Sequence, residues 1–215
     1  MDVVGNLERV RNRVADAGGD PASIVIVAVT KGHGPDAVHA ALAAGIADVG
    51  ENYAQELTAK AESLDPAAPP PRWHFIGQLQ RNKVRQVAHL VHLWQTVDRL
   101  RLGEEIAKRT PAAQVLVEVN LTDDPDRGGT RPGLVPGIVE GLRDLGLDVR
   151  GLMAVGRTGS PDDVRDGFRT VRELADSLHL AERSMGMTGD LEIAVQEGAT
   201  MIRVGSALFG PRSHA

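Results

Sequence analysis

Eight short strand-like runs lie along this chain, the first seven each giving way to a segment with helical period, and that alternation leaves few folds open. The first run, Ile24-Val25-Ile26-Val27-Ala28-Val29-Thr30, does not alternate with polar residues, as happens in a strand covered on both faces of a parallel sheet. Further strands are expected at 47–49, 73–76, 92–97, 114–120, 149–155, 183–185 and 200–204. Helical period marks 35–44, 54–63, 82–90, 99–109, 134–145, 161–178 and 190–197, with Pro35 and Pro161 at first-turn positions where proline costs nothing. Ahead of the repeat, 3–17 forms an additional amphipathic helix with Val4, Leu7, Val10 and Val14 on one stripe. Eight such units without a break in composition predict an α/β fold: a (β/α)8 TIM barrel spanning 1–215 as one domain, with an extra N-terminal helix. An open doubly wound sheet is the alternative.

Composition narrows the chemistry. Aromatic residues are only 3% of the 215, so the core must be aliphatic. There is no cysteine, which excludes a disulfide framework, a thiolate nucleophile and a zinc site with Cys ligands. A net charge of -5 and no clustered Lys/Arg stripe speak against a nucleic-acid partner. No stretch reaches membrane-spanning length, and Met1 to Asn6 has neither the basic region nor the apolar run of a leader, so a cytoplasmic location away from membranes is expected. The proline-rich 65–71 reads as a stiff loop, and 121–133 is the longest irregular stretch. His89 and His92 straddle a helix end with no carboxylate companion, Asp123-Asp124-Pro125-Asp126 resembles a calcium loop only in composition, and Gly32-His33-Gly34 reads as turn chemistry.

In a (β/α)8 barrel the loops after the strands form the active face, so what each strand ends with is informative. Polar groups and glycines gather there: Thr30-Lys31, Gly50-Glu51-Asn52-Tyr53, His74 with Gly77-Gln78, Gln95-Thr96 with Asp98, Asn120, Gly186-Met187-Thr188-Gly189, and Arg203 with Gly205-Ser206. An amine at the end of an apolar strand, as at Lys31, meets a low dielectric that favours its neutral, nucleophilic form; a solvated lysine marking the strand end is the other reading. The loops after strands seven and eight suit a phosphate, through glycines, the Thr188 and Ser206 hydroxyls and a helix start. Arg203 shares the face of Gly205 and needs an acceptor, either an aromatic nitrogen or carboxylate of a ligand or a salt bridge to a residue such as Glu51.

Taken together, Ala28-Val29-Thr30-Lys31, Gly50-Glu51-Asn52-Tyr53, the block from His74 to Lys83, Gly151-Leu152-Met153, Ser184 to Thr188 and Ile202 to Gly210 resemble the pyridoxal phosphate homeostasis proteins, whose barrel is like that of alanine racemase. The resemblance runs from the opening helix to Gly210 and implies pyridoxal 5′-phosphate (PLP) as cofactor. It implies that Lys31 forms the aldimine with PLP and Arg203 faces the pyridine nitrogen. Thr188, Gly205 and Ser206 would hold the phosphate, with Asn52 beside the ring. Two positions depart from the usual pattern: Thr188 stands where Ser is more frequent, and Arg127-Gly128-Gly129 where a Lys is common.

The function so implied is the reversible holding of PLP in the homeostasis of B6 vitamers, without robust catalysis. PLP and apo-enzymes that use it would be the partners of a monomer or weak dimer. An arginine facing the pyridine nitrogen leaves the ring a weak electron sink. Alanine racemase draws a tyrosine base from a second domain, whereas this sequence ends soon after strand eight and its single tyrosine, Tyr53, is expected to turn outward. A low-activity amino-acid racemase and a Schiff-base aldolase are the alternatives.

Overall fold

The computed structural model describes residues 2–122, 124, 127–157 and 159–211. Among them the strands are β1 (Val25–Val29), β2 (Asp48–Glu51), β3 (Arg72–Phe75), β4 (Val91–Val97), β5 (Gln114–Val119), β6 (Asp148–Ala154), β7 (Glu182–Ser184) and β8 (Met201–Val204). They pair in sequence order, all parallel, and β8 returns to β1 to close the barrel. The closing seam pairs Val25 with Met201, Ile26 with Ile202, Val27 with Arg203 and Ala28 with Val204.

The helices are α1 (Val3–Asp16), α2 (Pro35–Ala43), α3 (Ala54–Glu62), α4 (Arg81–Val87), α5 (Leu100–Arg109), α6 (Val135–Asp144), α7 (Pro161–Ser177), α8 (Leu191–Gln196) and α9 (Ser206–Phe209). The unbroken apolar strands follow from two apolar clusters, one on each face. Ala28, Val49, Phe75, Trp94 and Val117 belong to the larger cluster with helix residues such as Leu57, Leu102, Ile106 and Leu142. Val27, Leu93, Leu116, Met153 and Met201 form the smaller one, which fills the lumen. Each fully buried Leu or Ile of this kind stabilises the fold by roughly 1.5–3 kcal/mol relative to exposure.

Three details differ from the sequence reading. The buried stripe of α1 is Val3, Leu7, Val10 and Val14, while Val4 is 56% exposed. Val3 precedes Leu7 by four residues, nearly one turn, whereas Val4 is rotated away by about 100°. Helix α4 stops at Val87, where the chain tightens into a turn with Leu90 N donating to Val87 O at 2.9 Å. Helix α9, directly after β8, carries too short a pattern to show a period.

The proline-rich stretch is a loop between α3 and β3, as expected. Asp123, Pro125 and Asp126 of the calcium-like stretch lie outside the described residues. Beyond them Thr130 bridges to Val119, and Asn120 N donates to Thr130 O at 2.8 Å. No described helix is long and apolar enough to cross a membrane.

Candidate functional site

The closed barrel brings the ends of β1 and β8 side by side, and a cavity of about 450 Å³ opens over them. Lys31, Asn52, Thr188, Arg203, Gly205 and Ser206 all line it, so the six residues singled out in the sequence converge although they come from four different strand ends. Val29, Ile76 and Val155 contribute its apolar wall. Such a volume, apolar with a few convergent polar groups, is that of a small-molecule site.

Lys31 sits at the corner of a turn. His33 N donates to Thr30 O at 3.0 Å, and Gly32 takes φ +72°, the pattern of a type II turn, whose third position favours glycine. Across the cavity the Ser206 and Thr188 hydroxyls lie 3.2 Å apart and face the same space. The helices behind them, α8 and α9, are only six and four residues long, so their dipoles are small and the hydroxyls and loop glycines carry the case for an anion. At Gly186, with φ +95°, a Cβ would come within 2.5 Å of Ala194 Cβ; glycine alone lets this loop lie down on α8.

Arg203 is buried and makes no salt bridge with a described carboxylate. Nη1 donates to Ser184 O at 2.7 Å and Ser184 Oγ at 2.8 Å, and Nη2 to Ala154 O at 2.8 Å. Burial lowers its pKa to about 10, against the attraction of Glu118 and Asp190, so it remains a cation at neutral pH. The Glu51 salt bridge considered for Arg203 is not formed. Glu51 follows inward-facing Gly50 and therefore points out of the lumen, where Lys60 Nζ lies 2.5 Å from its Oε1.

What fixes Arg203 is a chain of buried polar groups through the lumen. Ser184 Oγ donates to Gln95 Oε1 at 2.6 Å, which turns the Gln95 amide nitrogen to His74 Nδ1 at 2.7 Å. His74 Nε2 then faces Asp48 Oδ1 at 3.0 Å, and Asp48 also accepts from Arg72 Nε at 2.8 Å. Burial would raise the Asp48 pKa, but the hydrogen bonds and charges of His74 and Arg72 outweigh it and hold the carboxyl well below its ordinary value. His74 and Gln95 are thus lumen residues and not part of the mouth. The signal that could have found the chain is a polar residue at an inward position of an otherwise apolar strand.

Helix α1, which showed no chemistry in the sequence, supports the loops that follow β7 and β8. Arg13 Nη2 donates to Thr188 O at 2.8 Å while Arg13 Nε pairs with Glu192 of α8 at 2.6 Å, and Asn6 Nδ2 donates to Leu208 O at 2.7 Å. His33, read only as turn chemistry, lines the cavity and lies against Phe209 with ring centroids 5.5 Å apart. Tyr53 does turn outward, 58% exposed, and borders a neighbouring cavity of about 710 Å³ with Glu118 and Lys83. No group of three or more possible metal ligands occurs among the described residues, His89 and His92 included.

A family model described as "Alanine racemase, N-terminal domain" matches residues 3–213. The pyridoxal phosphate homeostasis protein of Pseudomonas aeruginosa is 39% identical over 214 residues, covering 96% of this chain and 92% of that protein. The structure of PipY from Synechococcus elongatus PCC7942 with PLP bound has a TM-score of 0.82 at 32% identity, covering 94% of this chain and 100% of that one. Alanine racemase from Clostridium difficile 630 has a TM-score of 0.73 at 17% identity, covering 98% of this chain but 58% of its own, and shares the barrel fold. The chain belongs to the alanine racemase N-terminal domain family and, within it, to the pyridoxal phosphate homeostasis proteins.

The inward carboxyl of Glu118 gives a test of the mouth's electrostatics. Burial and then the charge of Asp98 raise its pKa to about 7, against the pull of Arg203. The unfolded chain releases that proton near pH 4.3, so the associated stability is full below that pH and is lost as pH rises through about 7. Urea unfolding of Glu118→Gln should show a flatter fall in stability between pH 5 and 8 than the parent. Parallel curves for the two proteins would refute the placement of this carboxyl.

Proposed function

We propose that this member of the homeostasis family holds pyridoxal 5′-phosphate on Lys31 and releases it again, serving supply of the cofactor to apo-enzymes and not turnover of a substrate. The observation that carries this reading is the convergence of an amine, a carboxylate-free guanidinium and two facing hydroxyls on one cavity. The residues present fit the group. Asn52 Oδ1 is a buried acceptor without a partner at the cavity, and Gly189 leaves open space where a Cβ would stand. PLP in the Synechococcus relative supports the same reading.

When bound, PLP supplies an aldehyde that condenses reversibly with a primary amine. Lys31 would provide that amine, Thr188, Ser206 and the backbone at Gly205 would hold the phosphate, and Asn52 would face the ring. Arg203 would be the residue to face the pyridine nitrogen. A guanidinium can only donate, so it keeps that nitrogen unprotonated and its electron demand low. Racemisation would also require a proton acceptor on each face of the substrate. Lys31 is one; Tyr53 faces the neighbouring cavity, and His33 lies toward Phe209 on the α9 side.

Purified protein mixed with PLP should turn yellow and yield a borohydride-trapped adduct on Lys31, and Lys31→Ala should lose both while unfolding at an unchanged urea midpoint. An adduct on Lys83 instead would remove Lys31 from its role. The double variant Thr188→Val, Ser206→Ala should bind PLP far more weakly than the parent and pyridoxal almost as well, since each charged hydrogen bond lost is worth roughly 1.5–3 kcal/mol. Equal losses for the two vitamers would place the phosphate elsewhere. With L-alanine in deuterated water the loaded protein should show at most slow α-deuterium exchange with retained chirality. D-alanine formed at about 1 to 10³ per second would make this protein a racemase.

A further inference from the structure

We propose that Lys60 and Glu56 of α3 are positioning residues that grip the backbone on both sides of Lys31 and aim its amine at the cofactor; the proposal rests on Lys31 being the anchor. Lys60 Nζ donates to Thr30 O at 2.7 Å, immediately before Lys31. Glu56 Oε2 accepts from Gly32 N at 2.9 Å, immediately after it. The two side chains are a turn apart on α3 and reach each other at 3.3 Å. Glu51 completes the grip: its Oε1 accepts from Thr30 Oγ1 and from Lys60 Nζ, each at 2.5 Å. The corner carrying Lys31 is therefore tied through the carbonyl before it, the amide after it and the hydroxyl beside it.

Stability alone is a poor account of this arrangement. Lys60 is 4% exposed, on a helix whose other buried residues are Ala54 and Leu57, and Glu51 at the end of β2 is fully buried. An apolar pair of the same volume is often as stable as a buried ion pair, because both charges lose their hydration. What an apolar pair could not do is bond the polar backbone of the turn. A residue that must present one atom to a ligand gains from being held, since a misplacement of about 1 Å can cost on the order of 10²-fold.

The test separates aim from fold. The measurements are the affinity for PLP, the affinity for 4-deoxypyridoxine 5′-phosphate, which has ring and phosphate but no aldehyde, and amide hydrogen exchange of Gly32 in protein free of either. Glu56→Ala should weaken PLP about tenfold, the equivalent of one charge-assisted hydrogen bond, leave the analogue unchanged and speed Gly32 exchange. Glu56→Gln, which keeps an acceptor, should restore both values. The double variant Glu51→Leu, Lys60→Met removes both charges without stranding either, and should repeat the selective loss. Equal weakening of PLP and the analogue, or unchanged PLP affinity in Glu56→Ala, would overturn the proposal. If PLP failed to add to Lys31 in the parent, the anchor reading would fall by itself. Gly32 exchange would then decide the grip: faster in Glu56→Ala upholds it, unchanged overturns it.

Discussion

The parallel seam between β1 and β8 makes one site out of the two ends of the chain. Its register sets Val27 beside Arg203 and Ala28 beside Val204, so the residues that follow, Lys31 on one side and Gly205 and Ser206 on the other, must emerge together. Pairing of such distant segments comes at the full cost of loop closure and is slow to form. Once made, it sets the Lys31 turn and the loop after β8 at one cavity. A register slip of one residue at this seam would take Arg203 off the face it shares with Val27 and out of the lumen.

The seam positions Arg203 but does not by itself satisfy it. A buried guanidinium demands acceptors, and the two backbone carbonyls of Ser184 and Ala154 meet only part of that demand. The remainder passes through Ser184, Gln95 and His74 to Asp48 and half-exposed Arg72, each member donating to the next or accepting from it. Such a chain is stabilising only when complete, because a single apolar replacement leaves its neighbour unpaired at low dielectric. The lumen therefore combines a small aliphatic plug with one polar thread that ends at the ligand cavity.

The repeat of strands and helices is legible because strands such as β1 carry apolar residues on both faces and the longer helices keep their period. The barrel followed from that, and so did the residues at the mouth, since strand ends are where polar side chains can be afforded. His74 and Gln95 looked like mouth residues because their depth along a short strand is not encoded in residue type. Glu51 suits Arg203 by charge, but the parity of β2 turns it to the outside, and Val3 and Val4 at the capped start of α1 are the same residue type, so composition does not say which one is buried. Contacts that join backbone to a distant side chain, as Arg13 to Thr188 O and Lys60 to Thr30 O, leave no pattern in a single sequence.

Those contacts reveal a division of labour between the layers. Strand ends and their loops supply the groups that line the cavity, while the surrounding helices supply charges that bind the loops' own backbone. Helix α1 reaches the Thr188 and Leu208 carbonyls from one side, and α3 reaches the Lys31 turn from the other. Short loops have few apolar contacts with which to fix themselves, so hydrogen bonds from a rigid neighbour are the available means. This explains why an amphipathic helix outside the eightfold repeat is built into the fold. Helix α1 lies against both α8 and α9, while the long α7 braces α8 separately, its Arg165 and Arg172 pairing with Glu197.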